Sequence, residues 1–125
     1  MTMLQLAFAV LAAAALFGAG LAVRYLRGPS APRLPQALPL AHGFLGVAGL
    51  ILLIAVLRHG LPSTDNGTAG FGLIAAGFFG FALVLGLLIA ALAWRGRRPG
   101  GLVVGTHASV AIAGVVVLAA LVALR

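Results

Sequence analysis

The stretches HGFLGVAG, residues 42–49, and HASVAIAG, residues 107–114, share one pattern inside two long apolar runs. Each begins with a histidine, has a small residue four positions later, and carries Ala-Gly six and seven positions later. Positions i, i+4 and i+7 lie on one face of an α-helix. The pattern therefore predicts two helices, each with a histidine at the head of a strip of small residues, and we expect the two strips to face each other.

The composition places these helices in a membrane. Of the 125 residues, 63% are hydrophobic and 7% are charged, and the mean hydropathy is +1.23. These values lie outside the range of soluble domains. Apolar runs at residues 4–23, 40–57, 69–94 and 102–124 are each of a length suited to a hydrocarbon core of about 30 Å. We therefore predict an all-α integral membrane protein, with residues 1–125 forming one four-helix bundle built from two similar transmembrane hairpins.

The arginines predict how the helices are oriented. The chain has eight arginines, no lysine and one acidic residue, and six of the arginines lie in the connections after the first and third runs. Because basic residues favour the cytoplasmic side, we expect both of these connections there and both termini outside, in a bacterial-type inner (plasma) membrane. Tyr25 and Trp94 then fall at the cytoplasmic interface as aromatic-belt residues. Asp65 and Asn66, in the connection after the second run, are interpreted as turn formers.

The orientation brings the two histidines to the same side of the membrane. The second and fourth helices both start at the cytoplasmic face, so His42 and His107 should agree in depth to within about one turn, roughly 5 Å. If the hairpins are repeats related by an axis along the membrane normal, equivalent residues near that axis face each other. Two ionisable side chains at matched depth in a membrane predict a functional site.

Imidazole is a common axial ligand of haem iron, so the pair predicts one haem b near the cytoplasmic face, with His42 and His107 as metal ligands. Small residues are needed where a flat macrocycle lies against helices, and cations are needed near its propionates. The predicted walls are Gly46, Gly49, Ala111 and Gly114, and the cations would come from among Arg24, Arg33, Arg95, Arg97 and Arg98.

With these histidine stretches, the chain resembles the four-helix, bis-histidine membrane b-type cytochromes. The resemblance covers all four spans as architecture and is specific only at the two H-x-x-x-small-x-A-G stretches. It implies one haem and a role in electron transfer within a larger respiratory or photosynthetic complex, with quinone as a further partner. The chain lacks the additional histidine pair of the diheme members. An electron relay also needs a donor and an acceptor, so we do not expect an enzyme in this chain alone.

Other interpretations of the histidines stay open. The pair could ligate another pigment such as chlorophyll, or the two side chains could reach the interface or hydrogen-bond neighbouring carbonyls. In the last case the protein would be a cofactor-free accessory subunit that packs through Gly/Ala-rich helix faces and helps to assemble a larger membrane complex. His59, near the outer end of the second helix with Arg58, is interpreted as an interfacial anchor.

The sequence argues against several other classes. There is no cysteine, which excludes disulfides, thiolate metal sites and covalently attached haem. The four spans contain no carboxylate and no lysine, groups that ion-coupled transporters usually need. A net charge of +7 without a basic stripe and interleaved aromatic residues does not predict nucleic-acid binding. The lipid bilayer and other membrane subunits are the expected partners.

Overall fold

A computed structural model describes residues 1–60 and 67–125. It contains four α-helices: α1 (Met3–Leu26), α2 (Ala37–Arg58), α3 (Ala69–Trp94) and α4 (Gly101–Ala123). All four are long and apolar enough to cross a membrane, so the prediction of an all-α, multi-pass membrane protein is confirmed at that level. The turn interpretation of Asp65 and Asn66 lies outside the described residues.

The connection between the first two apolar runs, residues 24–39 in the sequence prediction, is shorter in the structure. Helix α1 continues to Leu26 and α2 begins at Ala37, so Arg24 lies in the last helical turn and Pro39 in the first. Proline is tolerated there because the first N–H groups of a helix have no intrahelical partner. At its other end, α1 starts with a capping box: the Gln5 N–H donates to the Thr2 hydroxyl and the Thr2 N–H donates to the Gln5 side chain.

The helices form a ring. Helix α1 packs most extensively on α2, and α3 on α4; α1 also contacts α4, and α2 contacts α3. Helices α2 and α4 therefore lie on one diagonal of the bundle, and α1 and α3 lie on the other. Side chains that point inward from α2 and α4 can meet at the centre without a backbone contact between these two helices.

The main cluster of buried apolar side chains occupies one half of the bundle. This core contains Leu4, Ala7, Leu11, Leu53, Ala75, Phe79, Leu118 and Leu121. These residues belong to the first halves of α1 and α3 and the last halves of α2 and α4, so the core lies toward the chain termini. The opposite end, which we call the arginine end, carries the 27–36 and 95–100 connections. The two predicted histidines lie in that half.

Candidate functional site

The structure brings the two predicted histidines together. His42 is the sixth residue of α2 and His107 is the seventh residue of α4, so the two lie at nearly the same distance from the starts of their helices. The centroids of their rings are 6.0 Å apart, and the ring planes are nearly perpendicular, at 84°. The two imidazoles therefore meet across the diagonal of the bundle, at one level.

Each imidazole is also held by the helix that precedes its own. Nδ1 of His42 lies 3.0 Å from the carbonyl oxygen of Ala14, and Nδ1 of His107 lies 2.8 Å from that of Ala82. A carbonyl oxygen only accepts, so Nδ1 carries the proton and donates in both bonds. In neutral histidine this leaves Nε2 as the acceptor, with its lone pair free for a ligand. Both side chains are thus in the same tautomer.

Two glycines make room for these rings. A Cβ atom on Gly18 would lie 2.7 Å from Cε1 of His42, and one on Gly86 would lie 3.2 Å from Cε1 of His107. Gly18 is four residues after Ala14, and Gly86 is four residues after Ala82, so each glycine lies one turn from the carbonyl that its neighbouring histidine uses. Without a side chain at that position, the carbonyl is open to the imidazole.

The contribution of α1 and α3 was missed by the sequence reasoning. Its signal is the sequence A-x-x-x-G at residues 14–18 and again at 82–86. The two halves differ in one respect, because Phe17 of α1 makes an edge contact with His42, with 6.4 Å between ring centroids, whereas Leu85 occupies the corresponding place in α3.

The predicted wall residues have different surroundings. Gly49 and Gly114 are buried, and added Cβ atoms there would lie 2.6 Å from the Leu11 side chain and 3.1 Å from the Phe79 ring, respectively. Because these two glycines have no side chain, α2 can pack close to α1 and α4 can pack close to α3. A Cβ on Gly46 would meet no atom within 4 Å, and Ala111 is half-buried. A role for the four residues as cofactor walls stays a prediction.

Tyr25 and Arg98 connect the parts of the arginine end. The Tyr25 hydroxyl donates to the Pro99 carbonyl at 2.7 Å. The Arg98 guanidinium donates to the Tyr25 carbonyl at 2.9 Å and lies 4.4 Å from the centre of the Tyr25 ring. Tyr25, predicted as a belt residue, therefore clamps the 95–100 connection to the end of α1.

The other predicted cations lie at the same end. Arg24 donates to the carbonyl of Pro32 and is half-buried, which distinguishes it from the exposed Arg33, Arg95, Arg97 and Arg98. His59 is exposed at the far end of α2, 17 residues or roughly 25 Å along the helix from His42. It does not belong to the histidine site.

No protein-family model, curated protein or solved structure matches this chain. The fold and the site define a multi-pass membrane protein of four helices with a central pair of histidines. Among residues 1–60 and 67–125, no group of three or more His, Cys, Asp or Glu side chains is placed to hold a metal ion.

Proposed function

We propose that the protein binds one haem b between His42 and His107 and transfers electrons as a subunit of a larger membrane complex. The observation that carries this proposal is the meeting of two imidazoles at the bundle centre, each with Nδ1 engaged by a carbonyl and Nε2 free. A metal-bound histidine typically donates its other ring N–H to a carbonyl or carboxylate, which fixes the tautomer and the orientation of the ring.

The two imidazoles are close enough to hold one metal together. Their ring centres are 6.0 Å apart, and a bond between a metal and an imidazole nitrogen is about 2 Å long. A simple ion such as zinc would lack further protein ligands here, whereas the haem macrocycle supplies four nitrogens of its own.

The histidines would hold the haem, and the arginines would offset the negative charge of its propionates. When bound, haem supplies an iron that gains and loses single electrons. His42 and His107 would fix its position, and the apolar helices would exclude water from it. Arg24, half-buried at the arginine end, is the first candidate to offset propionate charge, with Arg33, Arg95, Arg97 and Arg98 as the alternatives. The electron donor and acceptor, quinone among them, would belong to the surrounding complex.

The direct test is an absorption spectrum of the purified protein. We expect a Soret band and, after reduction, the α-band of a low-spin b-type haem, at about one haem per chain by pyridine haemochrome assay. Protein expressed with ample haem supply that shows neither band would refute the proposal. A chlorophyll spectrum would show that the histidines bind that pigment and not haem.

A second candidate function is favoured by the same hydrogen bonds. Each histidine already bridges its own helix to the preceding one, so its Nδ1–H group has a partner without a cofactor, and such bonds join helices in membranes. In this alternative the protein is a cofactor-free accessory subunit that assembles with a larger complex. A colourless purified protein that keeps its fold would select it.

We further propose that the two helix pairs are repeats and that both termini face outward across a bacterial-type plasma membrane, with the arginine end in the cytoplasm. The support is the equivalent placement of Ala14, Gly18 and His42 in one pair and of Ala82, Gly86 and His107 in the other. Their positional equivalence is what a duplicated hairpin predicts.

The orientation predicts which single cysteines a membrane-impermeant thiol reagent can label. The native chain has no cysteine, so each introduced thiol reports one site. In intact cells Ser30→Cys, at the arginine end, should be protected and should label only after lysis, whereas Ser63→Cys, in the 61–66 connection, should label directly. Labelling of Ser30→Cys together with protection of Ser63→Cys would reverse the orientation.

A further inference from the structure

We propose that the end of α3 forms a binding site for an anionic phospholipid, at an open and apolar surface recess bounded by Ala91, Trp94 and Arg95. This inference does not depend on haem. It rests on the position of the recess, on the exposure of its tryptophan and on the balance of charge at the arginine end.

The recess lies where lipid headgroups meet the protein. Helix α3 has 26 residues, or about 39 Å at 1.5 Å per residue, which exceeds a hydrocarbon core of about 30 Å. Trp94 is its last residue, and its side chain is 93% exposed, so it is not packed into the bundle. A tryptophan at the end of a membrane helix lies at headgroup level.

The charges at this end are not neutralised within the described chain. Arg24 and Arg98 donate to the carbonyls of Pro32 and Tyr25, which carry no net charge. Arg27, Arg33, Arg95 and Arg97 are exposed. The sequence has one acidic residue, Asp65, which lies outside the described residues. Phosphate is a preferred partner of guanidinium because it accepts paired hydrogen bonds.

The choice between anionic and zwitterionic lipid follows from this excess of positive charge. A zwitterionic headgroup brings its own cation into the field of several arginines, whereas an anionic headgroup brings net negative charge. The exposed Arg95 would bind the phosphate beside the recess, and the apolar lining formed with Trp94 and Ala91 would contact the glycerol region and the upper part of an acyl chain. We therefore assign the recess to an anionic phospholipid.

Trp94 also provides the assay, because it is the only tryptophan in the chain. Its fluorescence is measured in nanodiscs that contain equal fractions of phosphatidylglycerol and phosphatidylcholine, with bromine on the acyl chains of one lipid or the other. We expect brominated phosphatidylglycerol to quench as though enriched about threefold around Trp94. Equal quenching by the two lipids would overturn the proposal.

Two variants separate this site from general attraction to the membrane. Arg95→Gln should remove most of the preference, whereas Arg58→Gln, which removes an exposed arginine from the opposite end of the bundle, should preserve it. Unchanged preference in Arg95→Gln would refute the assignment. Inorganic phosphate, compared with chloride at matched ionic strength, should not reduce the preference. Loss of the lipid preference in phosphate but not in chloride would overturn the assignment and identify a site for a small anion instead.

Discussion

His42→Ala and His107→Ala should each abolish the low-spin bis-histidine haem spectrum, and His59→Ala should leave it unchanged. Loss of either imidazole would remove one of the two proposed ligands, and the described residues contain no group of three or more His, Cys, Asp or Glu that could hold a metal ion instead. His59 is the matched control because it directly follows α2, the helix that carries His42, is exposed, and is roughly 25 Å away from His42. Absorption spectra and electron paramagnetic resonance of the purified variants measure the outcome.

Loss of fold must be distinguished from loss of a ligand. His107→Gly and His42→Gly each leave room where the imidazole was, so imidazole added to the solution should restore a low-spin spectrum if the side chain served as a ligand. A glycine inside a helix costs about 1 kcal/mol relative to alanine, and helical content measured by circular dichroism controls for this cost. Equal loss of haem in all three alanine variants would overturn the assignment of the ligands.

The accessory-subunit alternative predicts a different response to the same variants. Without a cofactor, each alanine variant loses an interhelical hydrogen bond to Ala14 or Ala82. Such bonds in membrane proteins contribute about 0.6 kcal/mol on average. The His42→Ala and His107→Ala variants would then be slightly less stable than the native protein. No haem absorption would be lost, because the native protein would contain no haem.

The four helices were predictable because the bilayer imposes a simple length requirement. An apolar run of about 20 residues satisfies it whatever its neighbours are, and the charged connections mark its ends. The helix ends are predicted less accurately, because the length requirement of the membrane does not fix them. The first apolar run ends before Arg24, but Arg24 lies within α1. Helical hydrogen bonding continues past the last apolar residue because the backbone still gains from it.

The partners of the two histidines could not be read from the sequence in the same way. An imidazole that donates to a main-chain carbonyl leaves no side-chain signature, since every residue has that carbonyl. The glycines that expose it, Gly18 and Gly86, are two among 18 in the chain. Likewise, the spacing of Gly49 and Gly114 from the histidines predicts that they line a cofactor. Only the packing shows that Leu11 and Phe79 fill the space beside them.

Gly18→Ala should weaken haem binding about 10- to 100-fold, the usual cost of disturbing a group that orients a metal ligand. The added Cβ would lie 2.7 Å from Cε1, 3.2 Å from Nδ1 and 3.3 Å from Nε2 of His42. The ring must therefore move away from α1, which lengthens or breaks the bond from Nδ1 to the Ala14 carbonyl. Haem titration of the apoprotein measures the affinity, and the reduction potential reports the changed ligand field.

Gly20→Ala is the matched control, because it lies on the same helix and its Cβ would meet no atom within 4 Å. Alanine is favoured over glycine in a helix by about 1 kcal/mol, so this variant should bind haem normally and be at least as stable. Equal effects of Gly18→Ala and Gly20→Ala would contradict the proposed contact.

The same substitution in the second helix pair should have a smaller effect. At Gly86 the added Cβ would lie 3.2 Å from Cε1 of His107 and 3.6 Å from Nδ1, so a shift of a few tenths of an ångström relieves the contact. We expect Gly86→Ala to lower haem affinity only a few-fold, which is less than the roughly 10- to 100-fold loss expected when an orienting group is displaced. His42 is additionally confined by the ring of Phe17, so it has less freedom to move than His107. The two histidines would therefore occupy equivalent positions but differ in how far their rings can move when a methyl group is added beside them. A larger loss of haem affinity in Gly86→Ala than in Gly18→Ala would contradict this distinction.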